Sequence, residues 1–211
     1  MSFKNIQKLI LSSGSPRRQE LIAHAGIPFG TIKIDAKEHT SRTDQEKAAR
    51  ALALSKMRAA LKTYLPGPGE VIVTADTSVW VDRTVFGKPR DIDEARSMLR
   101  TISGRSHQVV TGVSLCCLLD ENGGDKPNLK TVTFDEVTDV HVAELSEDEI
   151  EEYVLSGDPM DKAGAYGIQG DFSVHISRLE GDYFNVVGLP VAALYRELKK
   201  LDAILEKERS V

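Results

Sequence analysis

The stretch Leu9-Ile10-Leu11-Ser12-Ser13-Gly14-Ser15-Pro16-Arg17-Arg18-Gln19-Glu20-Leu21 constrains the fold of this chain more than any other. A short apolar run, readable as a buried strand, ends in a small-residue turn and passes at once into a helix. Ser15 suits the N-cap and Pro16 the first helical position. Leu21, Ile22 and Ala25 give the helix an apolar side, and Gly26 stops it. A strand feeding directly into a helix is the opening of an α/β protein with parallel strands. The charges are unusual. A helix N-terminus is already positive, so first turns favour Asp or Glu, whereas this one carries Arg17 and Arg18. Unsatisfied backbone N–H groups, a positive dipole end and two guanidinium forks together describe a cradle for phosphate. The Gly-Lys-Ser/Thr of a P-loop is missing. Read without context, the same arginines could pair with surface acids.

The rest of the chain supports a mixed sheet. Lys8–Leu11 and Phe29–Ile34 read as strands. Thr43-Asp44-Gln45-Glu46 is a capping box that opens a long helix reaching about Leu61. Val71–Ala75 is a β-branched run of the kind buried on both faces, with Asp76 at its C-terminal end. Val79–Val81 and Thr84–Phe86 flank Asp82-Arg83 as a hairpin. Asp91–Ile102 is a helix with Asp91 and Glu94 in capping-box positions and Gly104 as its stop. Gln108–Leu119 and Lys130–Val142 are long strands joined by a flexible Asp120–Lys126 turn. Ser146–Leu155 is a capped helix ending at Gly157, Asp158–Gly170 is irregular, Phe172–Leu179 is a strand, and Pro190–Leu205 is an amphipathic helix. Alternating strands and helices followed by a strand pair give an α/β class with a mixed β-sheet.

Composition narrows the function. The chain has 211 residues, 41% hydrophobic and 28% charged, an ordinary globular balance that argues against disorder. The net charge of −5 argues against a nucleic-acid binder and requires any anion site to be a local basic pocket. No run reaches the ~18 apolar residues of a membrane span, and Met1–Leu11 lacks the pattern of a signal peptide. Cys116 and Cys117 are adjacent in a strand, so they point to opposite faces and read as buried hydrophobes in a reducing compartment. These features predict a cytoplasmic protein.

Several residues carry candidate chemistry. A carboxylate such as Asp76, at the carboxyl end of a buried strand, sits where open α/β sheets place their ligands. It could hold Mg²⁺ or act as a general base. Lys88, between Gly87 and Pro89, lies in a rigid turn and could meet an anion; Lys56, mid-helix, could equally snorkel over the core. The segment Asp161–Gly170 holds too many glycines for a helix or strand, and its Gln169 could read a planar base edge through an amide donor and acceptor. The histidines show no metal spacing.

Ser12-Ser13-Gly14-Ser15-Pro16-Arg17-Arg18, Ala75-Asp76-Thr77, Gly87-Lys88-Pro89, Ser103-Gly104-Arg105 with Thr111-Gly112-Val113, Asp161–Gln169, and Asn185-Val186-Val187-Gly188-Leu189-Pro190 resemble, in this order, the motifs of the Maf family of nucleoside triphosphate pyrophosphatases. The resemblance runs from Lys8 to Leu201. It implies a single domain of the inosine-triphosphatase type, elongated and two-lobed around a cleft. It implies hydrolysis between the α- and β-phosphates, with Mg²⁺ (Mn²⁺ as the alternative), and Asp76 as proton acceptor. Ser13, Ser15, Arg17, Arg18, Lys56, Thr77, Lys88 and Gln169 become the candidate substrate contacts, and Glu38 and Asp76 the candidate metal ligands. Arg17, Thr77 and Gln169 match positions tied to substrate choice in the branch acting on dTTP and UTP. A sister branch that prefers 7-methyl-GTP differs around the second motif and lacks Gly-Ile-Gln, so this chain looks like the dTTP/UTP branch, including variants that accept modified pyrimidines. The family often reads Ile-Asp-Glu where this chain has Ala36-Lys37-Glu38, which leaves the full metal-ligand set open. The resemblance also suggests a homodimer.

Charge supports this reading. A triphosphate brings roughly four negative charges for arginines and lysines to meet, and carboxylates face it only beside a cation. Phosphoryl transfer needs positioning and charge stabilisation rather than a nucleophilic side chain. Two alternatives stay open at this level: an enzyme of the same fold for inosine or xanthosine triphosphates, and a non-catalytic nucleotide-binding regulator of cell division.

Overall fold

The structure is a computed structural model, and it describes residues 3–34, 44–120 and 127–208. Seven strands form one mixed sheet in the order β2-β1-β3-β5-β6-β7, with β4 paired to β3. They are β1 (Lys8–Ser12), β2 (Phe29–Ile32), β3 (Glu70–Val81), β4 (Thr84–Phe86), β5 (Ser106–Asp120), β6 (Asn128–Val142) and β7 (Ile176–Glu180). The helices are α1 (Pro16–His24), α2 (Gln45–Ala60), α3 (Ile92–Ile102), α4 (Glu147–Leu155), α5 (Tyr183–Val187) and α6 (Val191–Glu208). None of the described helices is long and apolar enough to cross a membrane.

Strand alternation sorts β3 into two faces. Ile72 packs with Met57 and Trp80 with Ala48 and Ala49, so the even positions face α2. Val71, Val73 and Ala75 pack with Leu21 of α1 and Leu194 of α6, while Val79 and Val81 pack with Leu99 of α3. The sheet is thus sandwiched between α2 on one face and α1, α3, α4 and α6 on the other. Cys116 and Cys117 are buried, free, and in clusters on opposite faces, as their adjacency requires. At Gly112 an added Cβ would lie 2.2 Å from the Ala49 carbonyl oxygen, so only glycine lets α2 approach this closely.

The strand limits differ from the sequence expectation where they matter most. Asp76 is not at a strand end: β3 continues unbroken to Val81, because β5 pairs with it from Val71 to Trp80. What ends near Asp76 is the parallel neighbour. β1 pairs with β3 only as far as Val73, and β4 pairs on that same edge only from Val79. Residues 74–78 therefore have no strand neighbour there among the described residues. Asp82 and Arg83 both adopt positive φ, as a tight hairpin turn demands.

Other corrections are local. Asp44, rather than Thr43, caps α2, its side chain accepting from the Lys47 N–H; Thr43 lies outside the described residues, as do residues 121–126 of the predicted turn. Asp91 caps α3 through the Glu94 N–H, but Glu94 reaches back to Arg90, so the box does not close. At Ser146 and Glu149 the capping box is complete. Residues 171–175 form a 3₁₀ turn, and the last strand begins only at Ile176. The short α5 was not legible in the sequence.

Candidate active site

A cavity of about 600 Å³ opens in the gap beside β3. Around it stand the ends of the parallel strands: Lys33 and Ile34 after β2, the Ser12–Arg18 turn after β1, and Ala75, Asp76 and Thr77 of β3. Lys88 and the Asp161–Gln169 loop close the far wall. This is the crevice beyond the carboxyl ends of parallel strands, where α/β sheets bind ligands. Ser13, Ser15, Arg17, Arg18, Lys56, Asp76, Thr77, Lys88 and Gln169 all line it. Glu38, with Lys37, lies outside the described residues.

Lys56 Nζ donates to Asp76 Oδ1 at 2.7 Å, with both side chains largely buried. The pair follows from the packing of α2. Thr74 Oγ1 donates to the Ala53 carbonyl oxygen at 2.8 Å, and about two helical turns on from Ala49, over Gly112, the ammonium reaches the carboxylate. Lys56 does not merely cover the core; it holds Asp76.

Arg18 is spread across three parts of the chain. Its Nε donates to the Gly188 carbonyl oxygen at 2.8 Å, Nη1 to Ser13 Oγ at 3.2 Å and Nη2 to Thr77 Oγ1 at 2.9 Å. Thr77 in turn lies 2.9 Å from Thr111 Oγ1, which donates to the Asn185 carbonyl oxygen at 3.1 Å. The Asn185 side chain is anchored to the Val109 carbonyl oxygen and to Thr138. The sequence reading gave Arg17 and Arg18 one shared role. The structure separates them: Arg18 joins the β1 turn, β3 and the loop before α6, whereas Arg17 makes no hydrogen bond or ion pair among the described residues.

Ser15 occupies the N-cap position of α1, but its side chain makes no capping bond; its N–H donates instead to Ser13 Oγ at 3.2 Å. The first-turn N–H groups of α1 thus stay available beside Arg17. Across the cavity Lys162 Nζ, buried, donates to the Asp158 carbonyl oxygen and to the Asp158 and Asp161 carboxylates at 2.7–2.8 Å. The Lys162 hydrogen bond holds the Asp161 carboxyl below its usual range, and the Arg17 charge adds to this. Arg17, Lys33 and Lys88, each from a different element, line the cavity without an ion pair among the described residues. Lys33 was not singled out from the sequence; a lone lysine at a strand end carries no local signal. Nor was Ser12, whose buried Oγ has no hydrogen-bond partner among the described residues.

The glycines of the Asp161–Gly170 segment have specific jobs. Gly164 has φ +74° and its N–H donates to the Gly87 carbonyl oxygen at 3.0 Å, which ties this loop to the one carrying Lys88. A Cβ there would lie 2.9 Å from Val79. Ala165 also takes a positive φ, 59°, which is strained for a residue with a Cβ. Tyr166 follows, its hydroxyl 2.7 Å from His107 Nε2 and its ring against Phe172. Burial pushes His107 down to about 4, so the imidazole is neutral at physiological pH. Ile168, Val79, Val109, Val186 and the Tyr166 ring supply apolar wall, and Gln169 stands exposed at the rim. One cavity therefore combines cations and free amides, a carboxylate held by a lysine, and a flat apolar wall with an amide: the parts needed to hold a polyphosphate, activate water and take a planar base.

Residues 8–201 match the family described as "Maf-like protein". The chain is 39% identical over 201 residues to a protein of Lachnoclostridium phytofermentans, covering 95% of this chain and 98% of that one. It is 45% identical over 193 residues to a protein of Koribacter versatilis (91% and 93%) and 43% identical over 208 residues to one of Agathobacter rectalis (93% and 98%). All three relatives carry the name dTTP/UTP pyrophosphatase.

Proposed function

This chain belongs to the Maf family, and we propose that its cavity hydrolyses dTTP and UTP to the monophosphate and pyrophosphate. It is a hydrolase acting on nucleoside triphosphates, matched over nearly its full length to pyrophosphatases of this specificity. The observation that carries the reading is the placement of a lysine-held carboxylate, Asp76, in the same cavity as the α1 N-terminus and Arg17. The amides and Arg17 take the phosphates, with Lys33 and Lys88 adding charge at the rim. Asp76 takes the proton of the attacking water. Ser13 acts through Arg18 and the Ser15 N–H, orienting the turn.

The donor set suits Mg²⁺, which binds through one or two carboxylates together with substrate phosphates. Among the described residues no three acidic, histidine or cysteine side chains gather as a closed metal cage. Asp76, with Glu38 as its proposed companion, would hold the ion against the phosphates, and the ion would neutralise charge building on the leaving pyrophosphate. We place the protein in the cytoplasm as a sanitiser of nucleotide pools.

Uracil and thymine present acceptor, donor, acceptor along one edge. The Gln169 amide supplies one donor and one acceptor for it. Cytosine reverses two of those positions and leaves polar groups unpaired. The test is kcat/KM for UTP, dTTP, CTP, GTP, ITP and 7-methyl-GTP with Mg²⁺ and product identification. UTP and dTTP should lead, with pyrophosphate as product. Preference for ITP or 7-methyl-GTP, or no turnover of any of them, overturns the reading.

A further inference from the structure

We infer that Tyr153, on α4, is a positioning residue: with Asp158 and Lys162 it fixes the Gly167 amide, and through it the Ile168-Gln169 wall that receives the nucleoside half of the substrate. This rests on the nucleoside triphosphate reading above and adds to it two residues, Tyr153 and Asp158, that do not line the cavity.

The directions of the hydrogen bonds in this array are fixed by counting. An ammonium has three hydrogens, and Lys162 Nζ gives them to the Asp158 carbonyl oxygen at 2.7 Å, to Asp158 Oδ1 at 2.8 Å and to Asp161 Oδ1 at 2.7 Å. Lys162 lines the cavity, yet it has no hydrogen left for a phosphate. Burial raises the Asp158 carboxyl, but the bonds from Lys162 and Tyr153 outweigh it and hold the group below its usual range. Near neutral pH it is therefore an ionised acceptor. The Tyr153 hydroxyl has one hydrogen and donates it to Asp158 Oδ2 at 2.7 Å. Its oxygen then accepts from the Gly167 N–H at 3.2 Å. Packing holds the tyrosine in place: its ring lies 5.0 Å from that of Phe172, which also packs on Tyr166.

Gly167 is where this array meets the cavity. A Cβ there would lie 2.7 Å from Lys162 Cε, so a glycine lets the lysine stem pass against the backbone. The loop has another amide anchor three residues earlier, from the Gly164 N–H to the Gly87 carbonyl oxygen. That anchor reaches the segment carrying Lys88. The Gly167 anchor reaches α4 and leads directly into Ile168 and Gln169, which line the cavity. Asp76 is held separately, by Lys56 of α2. Loss of the Tyr153 hydroxyl therefore bears on the nucleoside half of the cavity and spares the catalytic carboxylate.

The experiment measures kcat and KM for UTP, and the inhibition constants of UMP and pyrophosphate, in wild type, Tyr153→Phe and Asp158→Ala, with thermal unfolding as the check on folding. Phenylalanine keeps the ring and removes the hydroxyl. KM for UTP and Ki for UMP should rise about three- to tenfold, the value of one such hydrogen bond. Neither variant should lower kcat, or weaken pyrophosphate binding, by more than about twofold. The Asp158 side chain is 37% exposed, so Asp158→Ala acts from the solvent side. It removes the acceptor that orients the Tyr153 hydroxyl, should give the same split, and decides the matter if Tyr153→Phe does not fold. Equal weakening of UMP and pyrophosphate, unchanged constants for both, or a fall in kcat alone would make the array merely structural and overturn the inference. Failure of the wild type to release pyrophosphate from UTP would instead remove the functional reading, and this inference with it.

Discussion

Lys56 Nζ and Asp76 Oδ1 meet at 2.7 Å in a part of the cavity where both side chains are largely hidden from water. A buried pair of this kind costs desolvation and is a poor stabiliser compared with apolar packing. Its value here is orientation. The ammonium takes one of the two carboxylate oxygens of a residue that lines the cavity.

Lys56→Gln should therefore act on chemistry more than on binding. We expect kcat for UTP to fall on the order of 10²-fold, the cost of a misplaced catalytic group, with KM changing by less than about threefold. Steady-state kinetics decide this. A rise in KM at constant kcat would make Lys56 a substrate contact instead.

The two arginines of the α1 turn should part company. Arg18 bonds Ser13, Thr77 and Gly188, so Arg18→Ala should lower both activity and the thermal midpoint, and Arg18→Lys should not restore them, because an ammonium cannot span three acceptors. Arg17→Ala should raise KM for UTP at an unchanged midpoint. Equal losses of stability in the two variants would contradict the division.

That division marks the limit of what sequence shows. The βα opening, the α/β class, the hairpin at Asp82-Arg83 and the Ser146/Glu149 box were legible because each is a local pattern of burial or capping. The candidate site was legible because the motifs carry rare residue types at helix and strand ends. The run of β3 past Asp76 was not, because polar Asp76, Thr77 and Ser78 interrupt the apolar pattern and only pairing with β5 keeps the strand extended. Residues 171–175 fail for a related reason: Phe172 is buried as in a strand, yet its ring packs against Tyr153, Tyr166 and His175 while the backbone turns as a 3₁₀ helix rather than joining a ladder. Arg17 and Arg18 are indistinguishable in sequence, since what separates them lies some 60 and 170 residues away, at Thr77 and Gly188.

His107 gives a pH signature. Its folded value of about 4 lies below the ordinary 6.5, because burial disfavours the charged ring. Between those values the unfolded chain binds more protons than the native one, so stability rises with pH. The contribution is fully present above about pH 6.5 and is lost as pH falls toward 4, at no more than about 1.4 kcal/mol per pH unit for one proton. Urea unfolding of wild type and His107→Gln at pH 7.5 and 5.0 checks this. The difference between the two pH values should be smaller in the variant; an equal difference would place the pH dependence elsewhere.

The central claim, that this cavity splits a pyrimidine triphosphate between its α- and β-phosphates with Asp76 as the base, is tested most directly by product analysis of UTP hydrolysis in wild type and Asp76→Asn. Both proteins are supplied with Mg²⁺ and both must unfold cooperatively. Wild type should release one UMP and one pyrophosphate per UTP consumed, and Asp76→Asn should turn over 10²–10⁴-fold more slowly, the usual weight of a general base. UDP and orthophosphate as products, or near-normal turnover by Asp76→Asn, would contradict it.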